Sequence, residues 1–200
     1  YFQDDTFTAN RLLVNEICDY IIEKGYNKRL EIDISARADT IHFPTLLKMR
    51  KAGFRWIFFG VESGNQQVLD IMHKNITIQQ IRGAFKKSND AGLYVGGNFM
   101  IGNLGETYET VMDTVNLACE LKQDFASFTI AIPFPGTELY QHCIDKGIRL
   151  PSWNEFGSVN TPPIPLNEGL NAERLIELRE SATNRFFKRP LYILRMLYRF

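Results

Sequence analysis

Five short segments hold the side chains best suited to chemistry: Asp4-Asp5, Ser35-Ala36-Arg37, Glu62-Ser63-Gly64, Gly102-Asn103-Leu104-Gly105-Glu106 and Pro133-Phe134-Pro135-Gly136-Thr137. Carboxylates accept hydrogen bonds from an ammonium group or ribose hydroxyls, and a guanidinium holds a carboxylate through two parallel bonds. Glycine-rich turns let backbone groups approach a flat purine. Together the five suit a zwitterionic, amino-acid-like ligand that carries a ribose. Each also has a blander reading. Asp4-Asp5 suits a helix start, Arg37 with Asp39 a surface pair worth little, Ser63 a helix cap, and the glycines ordinary turns.

Other chemistries find less support. Cys18, Cys119 and Cys143 are odd in number, far apart and outside any C-x-x-C grouping, so neither a disulfide framework nor a zinc site is expected. Buried, reduced thiols are the expectation for all three, in a cytoplasmic setting. His42, His73 and His142 share no metal-ligand spacing. Gly92 to Gly97 lacks the strand–turn–helix context of a dinucleotide site. Lys+Arg 23 balances Asp+Glu 23, so no overall field invites nucleic acid. No apolar run reaches the ~20 residues needed to cross a bilayer.

Those segments need elements to position them. Asn10–Lys24 has helical spacing and stops at Gly25; Leu30–Ile34 alternates like a strand; Pro44 opens a helix that runs to Gly53. Trp56–Val61 is a nearly continuous apolar run, suited to a strand covered on both faces. Ser63 with Gln66, and Thr77 with Gln80, match capping boxes and predict a double helix. Further strands are expected at Leu93–Ile101 and Phe125–Ile132, with helices at Glu106–Leu121, Thr137–Lys146 and Ala172–Phe187. Tyr1-Phe2-Gln3 reads as a strand end. Long crossovers between strands imply a parallel sheet, either doubly wound or a β/α barrel. In both, ligands gather at the carboxyl ends of the strands. After Gly147 a stretch with Pro151, Pro162, Pro163 and Pro165 predicts a surface loop or lid. Pro190 precedes an amphipathic tail, Leu191–Phe200, suited to packing on the barrel or lying on a membrane surface.

In order along the chain, Phe2-Gln3-Asp4-Asp5-Thr6-Phe7, Ala36-Arg37-Ala38-Asp39, Phe59-Gly60-Val61-Glu62-Ser63-Gly64, Met100-Ile101-Gly102 with Gly105-Glu106-Thr107, and Pro133-Phe134-Pro135-Gly136-Thr137 form a signature. It resembles the radical S-adenosylmethionine (SAM) enzymes, in the group around the anaerobic magnesium-protoporphyrin ester cyclase and related methylases, many with a cobalamin-binding domain. The tail Arg185–Leu194 resembles the segment that follows the barrel in that group. Leu104 departs from the group's G-x-P-G-E-T pattern.

The resemblance implies an α/β fold: a partial parallel (β/α) TIM-like barrel of radical SAM type, truncated at its N-terminus. Residues 1–147 would be barrel, and 148–200 a loop and helical C-terminal extension. Implied cofactors are SAM, a [4Fe-4S] cluster on a C-x-x-x-C-x-x-C motif expected upstream of Tyr1, and cobalamin in some members. Reductive cleavage of SAM to a 5′-deoxyadenosyl radical would serve methylation, cyclisation or oxidation of an organic substrate, hydrophobic or ring-containing. A reductant protein would be the partner, and this chain alone would be inactive. Asp4 and Asp5 would line the amino-acid end of SAM, Arg37 would pair with its carboxylate, Glu62 would hydrogen-bond the ribose, and the backbone near Asn98, Met100 and Pro133 would border the adenine; Ser63 is counted with these cofactor-binding residues. Phe99, Phe134, Trp153 and Phe156 suggest an apolar cavity, although core packing suits them as well. Two rival readings stand beside this one. A non-catalytic β/α binding module would use the same strand ends for a partner. An aldolase-like enzyme would place a lysine or metal cluster at the mouth, and the strand ends carry neither. The first reading requires Asp5, Arg37 and Glu62 to face one cavity.

Overall fold

A computed structural model describes residues 1–152, 156 and 163–199. Trp153, Pro162 and Phe200, named above, lie outside the described residues. Four strands, β1 (Ile32–Ala36), β2 (Phe54–Glu62), β3 (Tyr94–Ile101) and β4 (Phe125–Ile130), form one sheet in the order β1-β2-β3-β4. All three pairings are parallel. The strands fall within a few residues of the apolar runs that foretold them.

The crossovers are helical. Helix α1 (Arg11–Glu23) precedes β1, and Asn10 caps it by accepting from the Leu13 amide. Helix α2 (Phe43–Lys51) has its proline in the first turn and joins β1 to β2. The double helix between β2 and β3 is α3 (Gln66–Ile71) and α4 (Ile78–Asp90). The Thr77–Gln80 capping box is present, but the cap of α3 is Asn65, which accepts from Gln67 and Val68. Ser63 instead accepts from the Asn65 amide one turn earlier, so that capping box does not form. Helix α5 (Tyr108–Glu120) follows β3 and α6 (Glu138–Asp145) follows β4.

Alternate residues sort to two faces. Ile34, Ile57, Phe59, Val95, Phe99 and Phe128 are buried on one side. The other side carries Trp56, Phe58 and Tyr94, with Trp56 and Phe58 stacked at 5.4 Å and Phe58 edge-on to Phe125 at 6.4 Å. A Cβ on Gly96 would lie 2.4 Å from the Phe58 ring, so that position must stay bare for the ring to cross the sheet.

Two further sequence expectations are corrected. Tyr1-Phe2-Gln3 is not a strand: the Phe2 amide donates to Asp33 O at 3.2 Å, and the chain then turns at Asp5–Thr6. Cys119 is only partly buried, whereas Cys18 and Cys143 are fully so; all three are free thiols.

Helix α7 (Ala172–Phe187) packs against β4 and α5, and α8 (Pro190–Arg199) folds back at the amino ends of β3 and β4. Phe186, fully buried, is the hinge pin of this extension, in contact with Phe128, Phe187 and Tyr192. Phe186→Ala should cost about 3–5 kcal/mol of unfolding free energy in urea titrations, because it empties the space of a fully buried ring.

Candidate functional site

Because the strands are parallel, their carboxyl ends share one rim, and a cleft of about 410 Å3 opens there. Its walls include Asp4 and Asp5, Arg37 beyond β1, Glu62 at the end of β2, and Asn98 on β3. Asp5, Arg37 and Glu62 thus face one cavity.

The cations of the cleft are held in place by their neighbours. Arg37 makes two bonds to Asp39, Nε to Oδ1 at 3.1 Å and Nη2 to Oδ2 at 3.0 Å, and Nη2 also donates to Lys74 O at 2.9 Å. The pair with Asp39 is therefore more than an isolated surface contact. Lys74 Nζ donates to Glu62 Oε1 at 2.7 Å, with both side chains less than one-fifth exposed. Lys74 sits in the loop between α3 and α4, flanked by His73 and Asn75 with φ of 52° and 53°. Glu62 itself has φ of 63°, a left-handed conformation uncommon for a residue with a side chain. The register shifts between Gly60 and Glu62, and a Cβ on Gly60 would lie 2.6 Å from Glu62 Oε1. The absent side chain at Gly60 makes room for the Glu62–Lys74 pair.

Sequence reasoning missed Lys74. It belongs to no strand end and to no motif; only the fold of the α3–α4 loop carries it to the mouth. The expectation that no lysine stands there is corrected, although its ammonium is committed to Glu62.

A second cavity of about 470 Å3 adjoins the first along β3, since Asn98 lines one and Met100 the other. Met72, Met100, Leu104, Ile132, Phe134 and Leu139 make most of its wall, with Asn103, Thr137 and Glu138 the polar exceptions. Phe134 lies 6.3 Å from Phe156, whereas Phe99 is core, stacked on Phe128 at 5.3 Å. Pro133, expected at the adenine, is buried beside Ile132 and lines neither cavity. Ser63 is fully buried, its hydroxyl bonded to Thr114 at 3.1 Å on α5, and it lines neither cavity.

The loop between β3 and α5 forms one lip of the second cavity and is held from both sides. Within it, Glu106 Oε2 accepts from the Gly102 and Asn103 amides at 2.5 and 2.9 Å, while Oε1 is buried without a partner. From outside, Asn167 accepts from the Gly105 amide and donates to Asn103 O, both at 2.7 Å. Burial pushes the Glu106 carboxyl up to about 7, against the pull of those two amides.

The cysteines take no part in the cleft. Burial raises the Cys18 thiol to about 11 and also raises Cys143, the opposite of what a metal-binding thiolate needs. Among the described residues no group of three or more His, Cys, Asp or Glu is placed to hold a metal ion.

Comparison with known proteins gives a consistent picture. The model of the family described as the radical SAM superfamily matches residues 1–118. An uncharacterized methyltransferase of Pyrococcus horikoshii is 31% identical over 98% of this chain and 42% of its own length. The anaerobic magnesium-protoporphyrin IX monomethyl ester cyclase of Cereibacter sphaeroides is 28% identical over 94% of this chain and 31% of its own. This chain therefore spans less than half of either relative. Among solved structures, coproporphyrinogen III oxidase from Escherichia coli, a radical SAM enzyme, aligns with TM-score 0.65 at 18% identity. That alignment covers 91% of this chain and 38% of the other. The radical SAM methyltransferase TsrM from Kitasatospora setae, with cobalamin and a [4Fe-4S] cluster bound, aligns with TM-score 0.62 at 18% identity over 70% and 29%. At such identities these two likenesses describe the fold, a partial β/α barrel.

Glu106 gives the site a measurable pH signature. Its carboxyl keeps its proton to about pH 7 in the folded chain but releases it near 4.5 when unfolded. Between those values the native state binds more protons, so its contribution to stability falls as pH rises. Relative to Glu106→Gln, the wild-type chain should lose on the order of 3 kcal/mol between about pH 4.5 and 7, read from urea midpoints at each pH.

Proposed function

The chain belongs to the radical SAM superfamily, and from that premise we propose that its cleft holds the amino-acid and ribose parts of S-adenosylmethionine. The single observation that carries this reading is the convergence of Asp4, Asp5, Arg37, Glu62, Lys74 and Asn98 on one cleft. Arg37 offers donors to the ligand carboxylate, Asp4 and Asp5 accept from its ammonium, and Glu62, held by Lys74, accepts from the ribose hydroxyls. The adenine lies toward Met100 and Ile132, where the second cavity is apolar and a flat ring replaces water at little cost. Of the residues expected at the ligand, Ser63 acts at one remove, by fixing the turn after Glu62 through Thr114.

The parent enzyme, on this reading, modifies an organic substrate by methylation, cyclisation or oxidation. When bound, SAM supplies either a methyl group or, on one-electron reduction, a carbon-centred radical with methionine as the leaving group. The chain's own residues orient the ligand, and the wall formed by Met72, Met100 and Phe134 keeps water from the adenosyl end. The family uses a [4Fe-4S] cluster as well, and the cysteines here do not fit one: they are scattered, and burial disfavours two of the thiolates. By itself this chain should not cleave SAM. Cobalamin, present in TsrM, is a candidate second cofactor of the parent. A hydrophobic or ring-containing substrate and a reductant protein complete the proposal.

Amide spectra of the isotopically labelled chain test it. SAM should shift resonances around Arg37, Gly60–Glu62, Lys74 and Asn98, and Arg37→Ala should weaken the titration about tenfold, as expected for one charged contact. Shifts confined to other parts of the molecule, or a titration indifferent to Arg37→Ala, would remove the assignment.

A further inference from the structure

Helix α8 is turned inside out relative to an ordinary surface helix, whose apolar stripe faces the core. Its polar side chains face the protein. The Tyr192 hydroxyl donates to Asp124 O at 2.8 Å, Arg195 donates to Gln123 O at 3.2 Å and to the Asp124 carboxylate at 2.8 Å, and Arg199 donates to Leu93 O at 2.7 Å. Arg189 reaches Cys119 O and Phe186 O. What α8 presents outward is Leu191, Leu194, Leu197 and Tyr198, exposed by 81, 51, 75 and 92%. Residues at this spacing form one stripe, and a contiguous exposed apolar stripe marks a surface that meets something.

The surroundings of α8 say what. Each strand is entered through a segment running from the last turn of the helix before it: residues 20–32, 48–55, 87–94 and 117–125. With residues 184–199, these segments hold fourteen of the 23 Lys and Arg but five of the 23 Asp and Glu. In a parallel sheet they all lie at the end opposite the cleft, so a chain of zero net charge is electrically polarised along its strands. Cations in last turns complement helix dipoles, which accounts for Lys48, Arg50, Lys51 and Lys87. Arg185 and Arg199 also sit in last turns, and Arg189, Arg195 and Arg199 are turned onto backbone carbonyls and Asp124. Neither role covers the exposed Arg29, Lys122 and Lys188, nor the outward leucines.

We propose that this end of the barrel docks on an anionic lipid surface. Helix α8 lies in the plane of the interface with its leucine stripe at the headgroup–acyl boundary, and exposed cations of the neighbouring segments, Arg29, Lys122 and Lys188 among them, face lipid phosphates. The attachment is peripheral, since no helix among the described residues is long and apolar enough to cross a membrane. Nucleic acid matches the charge but not the stripe, and a second copy matches the stripe but repels the charge. The inference stands on α8 and the charge distribution and is independent of the SAM reading.

Flotation of the full 200-residue chain with phosphatidylcholine vesicles containing about one-third phosphatidylglycerol tests it. The chain should float with these vesicles and not with phosphatidylcholine alone, and added salt should weaken the association about tenfold. Leu194→Glu combined with Leu197→Glu alters only exposed positions and should abolish flotation while circular dichroism and the urea midpoint stay unchanged. The proposal is overturned by absence of flotation, by equal flotation on neutral vesicles, or by flotation that survives the double substitution. It is equally overturned if light scattering shows a dimer that the substitution dissociates while lipid goes unbound.

Discussion

Four strands that all run the same way must deliver their carboxyl ends to one rim and their amino ends to the other, and everything else in this molecule follows from that constraint. Side chains far apart in sequence, such as Asp5, Arg37 and Glu62, become neighbours without any local signal pairing them. The same constraint gathers the helix ends and their cations at the far side. A parallel sheet cannot be built from hairpins, so each strand costs a crossover helix. Those crossovers carry the loops from which Lys74 and the Asn103–Glu106 lip are drawn.

At the rim, charges are balanced among themselves before any ligand arrives. Glu62 with Lys74 and Arg37 with Asp39 are partly shielded pairs, in which loss of one partner leaves the other poorly solvated. Such pairs add little net stability, but they hold donors and acceptors in fixed positions. The cost of that order appears as backbone strain at Glu62, His73 and Asn75, all with positive φ and all within the strand-end loop and its helix connection. Among the described residues these three are the non-glycines with positive φ, and their clustering is what a binding rim on a rigid scaffold should show.

Much of this was legible in the residues. Strands appeared where apolar runs placed them because buried parallel strands need apolar side chains on both faces, as Trp56–Val61 does. Helix ends were marked by Gly25 and Thr77, whose roles are local. The failures have local causes too. Ser63 and Asn65 are both competent caps, and only the packing of Gly64 against α5 decides that Ser63 turns to Thr114 and Asn65 caps α3. Lys74 was invisible because its position depends on three consecutive loop residues and on a partner twelve residues away. Glu106 was read among the strand-end acids, yet it points inward to tie its own loop, a choice that hydrogen-bond geometry makes and composition does not.

The Asn167 bridge to the β3–α5 loop has an implication for how the chain tolerates length change. Asn167 grips that loop through Gly105 and Asn103, and eight residues later Leu175 places its methyl groups about where a side chain on Gly102 would stand, 3.0 Å away. Both anchors therefore touch the same five-residue lip, and the segment between them works as a splint of fixed span. One residue gained or lost between Asn167 and Leu175 would force one grip to open, which makes that interval the molecule's internal ruler.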